Sequence, residues 1–135
     1  MNLFHTMGAI PAPDVDKSRC VVLWGLNPAA SAMNRYRRTR ATKKGGATLI
    51  VVDPRTTALA RQADIHVQLR PGSDGALALG ILHILVKEGL YDQEFVKEHT
   101  LGFDDLTELL EDYPAPRVAD LTWVPEAQLI EAARA

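Results

Sequence analysis

"VVLWGLNPAAS", Val21–Ser31, runs from an apolar stretch into a Gly-x-Asn-Pro turn and on into a segment of helical character. A short continuous apolar run that ends in a turn suits a strand covered on both faces. Working outward, "ATLIVVD" (Ala47–Asp53) is a second such run, rich in β-branched residues. "ADIHVQL" (Ala63–Leu69) is a third with more alternation, the pattern of an edge or half-covered strand. Between the first two, Ser31–Lys44 reads as one helix with Ser31 as N-cap and Gly45-Gly46 as its C-terminal stop. Strand, helix, strand at this spacing predicts a right-handed βαβ unit in a parallel sheet, with Cys20 at the start of a central strand.

After the third run, "PGSD" opens "GALALGILHILVKEG", a helix apolar on nearly every face that stops at Gly89. Such a helix needs more than one neighbour to bury it. The expected neighbours are "DQEFVKEH", "DDLTELLEDY" and "PEAQLIEAARA", separated by Gly102, Pro114, Pro116 and Pro125. Residues 1–19, with Gly8, Pro11 and Pro13 and no periodicity, read as an irregular lead-in. The fold class is therefore α/β: a Rossmann-like three-layer domain over residues 20–135, with a short parallel sheet of three strands and C-terminal helices.

The bulk composition narrows the function. In 135 residues, 47% are hydrophobic, 24% are charged and the formal net charge is -2, which supplies no global attraction for nucleic acid or an anionic membrane. Cys20 is the only cysteine, so the chain holds no internal disulfide and no C-x-x-C metal or iron-sulfur cradle, and its place in an apolar run reads as a small buried hydrophobe. No run reaches the length of a membrane span and no secretory signal is visible, so the expected location is cytoplasmic. Arg35, Arg37, Arg38, Arg40, Lys43 and Lys44 read as a solvated helix face or as a phosphate or partner patch. His83, inside "LGILHILV", reads as a hydrogen-bonded core histidine, and the histidines show no metal-ligand spacing.

In a parallel sheet all strands end at one edge, and ligands bind in the crevice beyond those carboxyl ends. Here the strands end in "GLNP", "DPR" and "PGSD". Gly25 permits close approach of backbone to a ligand, Asn27 tolerates unusual backbone angles, and a helix after Pro28 would turn unpaired N–H groups toward an anion; the same residues also make an ordinary βα turn. Asp53 stands where a dinucleotide site places an acid for ribose hydroxyls, and Arg55 offers a planar donor fork. Alternatively, Asp53 caps residues 54–61 and pairs with Arg55 or Arg61. In the third loop, behind Gly72, either Ser73 or Asp74 caps the following helix, or the Asp74 carboxylate matches the two adjacent N–H donors on the Watson-Crick edge of guanine.

Together, "VVLWGLNPAAS", the stretch from "GGATLIVVDPR" through "LRPGSDGALALG" and "EGLYDQEFVKEHTLGF", and the closing "VPEAQLIEAARA" resemble one domain of the molybdopterin oxidoreductases, the dimethyl sulfoxide reductase family that includes formate dehydrogenases and nitrate reductases. The resemblance covers Asp14 to the C-terminus. It implies a domain that binds the guanosine diphosphate end of a molybdopterin guanine dinucleotide carrying molybdenum or tungsten. By matching position, Gly25, Asn27 and Pro28 face the phosphates or pterin side, Asp53 and Arg55 meet the ribose or guanine, and Gly72, Ser73 and Asp74 read the guanine. The chain departs from the family at "AASAMN", where a His-Pro pair is frequent, and it carries no recognisable molybdenum ligand or 4Fe-4S cysteine cluster. The resemblance thus implies a non-catalytic piece of a larger enzyme, whose partners are that enzyme's remaining domains or subunits and whose exposed apolar helix favours self-association. The other readings are a free-standing guanine-nucleotide or cofactor-delivery module, and a decayed fragment that binds nothing.

Overall fold

A computed structural model describes residues 13–135. The sheet has strands β1 (Cys20–Trp24), β2 (Thr48–Val52) and β3 (Ile65–Val67), all parallel, in the order β1-β2-β3. Register pairs Trp24 with Val52 and Val52 with Val67, so the three strands end in line. The α/β class, the parallel sheet and its three strands are as the sequence implies.

β2 is the central strand, and its Leu49, Ile50, Val51 and Val52 are all buried. β1 lies at the edge, which corrects the expected central place of Cys20. Its apolar run does not mean two covered faces: Val21 and Leu23 are buried, but Val22 is 51% exposed because the helices on that side sit over β2 and β3. Cys20 is half-buried, and burial pushes its thiol pKa up, as expected of a packing residue.

The segment after β1 forms two helices rather than one, α1 (Pro28–Ser31) and α2 (Met33–Lys44). Ser31 is not the N-cap of the long helix; its hydroxyl donates to Asn27 O, and Ala32, at φ −155° and ψ 74°, breaks the chain direction between the two. α2 packs through Tyr36, Thr39 and Thr42 against the Val21, Leu23 and Val51 face. A helical turn at Val15–Lys17 braces α2, with Asp16 accepting from Arg38 at 3.1 and 2.8 Å. Residues 1–12, most of the expected lead-in, lie outside the described residues.

The opposite face of the sheet is covered by α3 (Asp74–Lys87), with α5 (Phe103–Leu110), α6 (Ala115–Thr122) and α7 (Glu126–Arg134) around it. Two of the helices differ in weight from the sequence expectation. α4 (Gln93–His99) buries no residue, whereas α6, read from sequence as a proline-rich separator, packs closely on α3. Pro116 falls in the first turn of α6, where its missing N–H costs nothing. Val118 and Thr122 then face inward, and Val118 sits directly on Gly80 of α3. His83 is buried, with Nδ1 2.8 Å from Leu110 O, the hydrogen-bonded core role expected of it.

Candidate functional site at the carboxyl edge of the sheet

The three loops named from sequence meet at the carboxyl edge. Gly25 leaves β1 at φ +59°, and its N–H donates to Val52 O at 2.8 Å, so the first loop starts bonded to the end of β2. Asp53 N donates to Val67 O at 3.2 Å, which fastens the second loop to the end of β3. The third loop turns through Arg70-Pro71-Gly72-Ser73, with Ser73 N donating to Arg70 O at 3.1 Å. Gly72, at φ +84°, supplies the left-handed backbone that this turn requires after a proline. A Cβ at either glycine would meet no atom within 4 Å, so both present open backbone at the edge.

The side chains divide into buried anchors and exposed contacts. Pro28 is buried, and the half-buried Asn27 holds an Oδ1 shielded from solvent with no hydrogen-bond partner among the described residues. Asp53 is buried, with Oδ1 accepting from Arg55 N at 2.8 Å and lying 3.6 Å from Arg55 Nε. It therefore closes a local turn, and no helix spans residues 54–61; the only helical turn there is Ala60–Gln62, and Arg61 donates to Thr56 O. Arg55 is the exposed group of this loop, its side chain 76% accessible.

Neither side chain in the third loop caps α3. Ser73 is the N-cap by position, but its hydroxyl donates to Arg70 O at 2.6 Å, and Asp74 occupies the first helical position. Instead, Asp74 Oδ1 accepts the indole Nε1–H of Trp24 at 2.8 Å. By sequence Trp24 is only the last residue of an apolar run; its place beside α3 emerges from the fold.

Two further residues bear on this edge without a mark in the local sequence. His66 Nε2, from β3, lies 2.9 Å from Asp53 O, and Gln68, just past the strand, donates its Nε2–H to Pro54 O at 2.8 Å. The neighbouring Asp64 of the "ADIH" stretch works at the other end of the sheet, accepting from Leu49 N at 2.8 Å and from Lys43. These bonds hold its carboxyl below the ordinary range, chiefly through Lys43. The basic run on α2 accordingly ends away from the crevice, with Arg38 and Lys43 committed to Asp16 and Asp64.

Comparisons with known proteins agree with the fold. The family described as "Molybdopterin oxidoreductase" matches residues 4–130. The probable oxidoreductase YoaE of Bacillus subtilis is 32% identical over 96% of this chain and 20% of its own length. The F420-dependent formate dehydrogenase 1 subunit alpha of Methanococcus maripaludis is 37% identical over 90% of this chain and 18% of its own. Among solved structures, acetylene hydratase from Pelobacter acetylenicus superposes with a TM-score of 0.85 at 36% identity, covering 89% of this chain and 17% of that one. The chain spans about a fifth of the length of the curated relatives it matches.

Proposed function

Because this chain belongs to the molybdopterin oxidoreductase family, we propose that its carboxyl-edge crevice holds the guanosine diphosphate end of a molybdopterin guanine dinucleotide, as one domain of a larger molybdenum or tungsten oxidoreductase. Family membership implies a molybdenum or tungsten pterin cofactor; the guanine dinucleotide form and the residue roles are the reading advanced here.

The observation that carries it is the exposed Asp74 carboxylate, oriented by Trp24 at the end of the sheet. The Watson-Crick edge of guanine presents two adjacent N–H donors, which a carboxylate accepts with both oxygens. A carboxylate oxygen has two lone-pair directions, so Oδ1 can serve the indole and a guanine N–H together while Oδ2 serves the other. Adenine presents a donor and an acceptor on the same edge and is a poor match.

The remaining edge fits a nucleotide. The unpartnered Asn27 Oδ1 needs a donor, or its amide turned over offers one, and a buried polar atom of this kind is costly unless something completes it. Gly25 and Gly72 leave backbone open to close approach. Arg55 supplies a charged fork toward ribose or phosphate, while the enclosed Asp53 holds the turn that aims it. α1 is a single turn with little dipole, so in this reading Gly25, Asn27 and Pro28 act by loop shape rather than by a helix terminus. When bound, the cofactor supplies the redox chemistry through its metal; this chain binds, orients and reads the base.

Two features support a place inside a larger protein: the relatives are about five times longer, and β1 leaves Val22 uncovered on an outer strand. The remaining domains or subunits of that enzyme are the partners in this reading. Calorimetric titration of the purified chain with GDP, against ADP as control, tests it. Binding of GDP with clear preference over ADP is expected; equal or no binding of both contradicts the proposal.

A further inference from the structure

The backbone ladder between β2 and β3 ends at Asp53 N–H to Val67 O. The next N–H that could point toward β3, that of Arg55, donates to Asp53 Oδ1 instead, so the ladder stops there. Past that point the carbonyls of Asp53 and Pro54 are satisfied by side chains: His66 Nε2 lies 2.9 Å from the first and Gln68 Nε2 lies 2.8 Å from the second. A carbonyl only accepts, so His66 carries its proton on Nε2 in this contact. His66 pairs with Val51 in register and shares its face of the sheet, while Gln68 and Asp53 follow just past the ends of β3 and β2. His66 and Gln68 thus grip two successive carbonyls of the turn. The grip is itself anchored, because Gln128 of α7 donates to His66 O at 3.1 Å.

We propose that His66 and Gln68 are positioning residues that hold the Asp53-Pro54-Arg55 turn against the ribose of the bound nucleotide. This rests on the reading of the crevice as a guanosine diphosphate site. Asp53 itself is buried and tied to Val67 O, but the Pro54 and Arg55 side chains beyond it are exposed, and apart from the Asp53 Oδ1 and Thr57 N–H bonds within the turn, His66 and Gln68 are what hold its outer part to β3. Releasing the two carbonyls lets the turn rotate as a unit and moves the Arg55 fork off target, while the strand ladder and core remain in place. Neither residue touches the nucleotide; both act through the turn.

The test compares GDP with 2′,3′-dideoxy-GDP, which keeps the base and phosphates but lacks the ribose hydroxyls. Wild type should bind GDP about tenfold or more tightly than the dideoxy analogue, as expected for hydrogen bonds to charged groups. Gln68→Met and His66→Phe preserve bulk and remove the donor. Each should lower that ratio about threefold to tenfold while raising hydrogen exchange at the Arg55 amide, and His66→Gln, which restores an N–H donor, should recover part of it. Gln68 is exposed, so Gln68→Met carries the test even if a change at His66 unfolds the chain. Preserved discrimination in Gln68→Met, with wild type discriminating, overturns the positioning role and leaves the site reading standing. A wild type that binds GDP and the dideoxy analogue equally overturns the ribose assignment of the turn, and a wild type that binds neither overturns both.

Discussion

Trp24 and Asp74, fifty residues apart, are joined by an indole-to-carboxylate hydrogen bond of 2.8 Å. The bond links the end of an edge strand to the first residue of the long helix. It fixes which carboxylate oxygen is engaged and leaves the rest of the group facing outward.

Trp24→Phe keeps a ring against the core and removes the donor. GDP affinity should fall about threefold to tenfold, with a small decrease in melting temperature, the scale of one partly exposed hydrogen bond. The only other tryptophan, Trp123, is 70% exposed beside Arg70. The fluorescence change on adding GDP should therefore persist in Trp123→Phe and vanish in Trp24→Phe; the reverse pattern would place the ligand elsewhere.

Gly80→Ala should destabilise the fold although alanine is the better helix former. A Cβ at Gly80 would stand 2.7 Å from Val118 Cγ1, forcing α3 and α6 apart. Overpacking costs about 1–3 kcal/mol, against about 1 kcal/mol of helix propensity gained. Thermal or urea melts should show a loss that Val118→Ala largely reverses in the double variant. A more stable Gly80→Ala would contradict the close α3–α6 contact.

That contact also marks what could be read from the residues and what could not. The strands and the meeting of three loops at one edge were legible because β-branched runs and Gly/Pro turns are local signals. α6 was not, since two prolines look like a break until the second is placed in a first helical turn and Val118 finds Gly80. The edge position of β1 was hidden because an apolar run carries no record of whether a helix covers it. At the site, Asp74 and Arg55 could be singled out as exposed polar groups in edge loops. Trp24, His66 and Gln68 act through partners 50, 13 and 14 residues away, and no local pattern announces such pairs.

Acid should weaken the fold through Asp64. Its carboxyl is held below the ordinary range first by Lys43 and then by the Leu49 N–H. A depressed folded-state pKa contributes stability that is present above the unfolded-state pKa and is lost as pH falls through the folded-state value. Melting temperature should therefore drop as pH falls through and below the ordinary carboxylate range, and Asp64→Asn should lower it at neutral pH and flatten this slope. The effect is modest, because the side chain is 47% exposed. Parallel pH profiles for the two proteins would remove Asp64 from the account.

Self-association should appear at high concentration, together with binding of a hydrophobic dye. The sequence puts the exposed apolar surface on α3, but α5, α6 and α7 cover most of that helix and leave only Leu82 of its large apolar side chains exposed; Leu101, Trp123, Phe95, Val22 and Met33, on other elements, are more exposed. Surfaces of this kind are buried when a domain sits among others. A strictly monomeric, dye-negative chain would count against the place proposed for it inside a larger enzyme.

The most direct test of the guanine assignment is GDP titration of wild type and Asp74→Asn side by side with thermal melts. Asparagine can keep its Oδ1 on the Trp24 indole, so stability should barely change. The same bond then turns the new NH2 outward, where it meets a guanine N–H donor to donor. GDP affinity should fall by about 30-fold to 1000-fold, the equivalent of about 2–4 kcal/mol, with the melting temperature unmoved. Equal GDP affinity in the two proteins would contradict the account and leave Asp74 as a structural partner of Trp24.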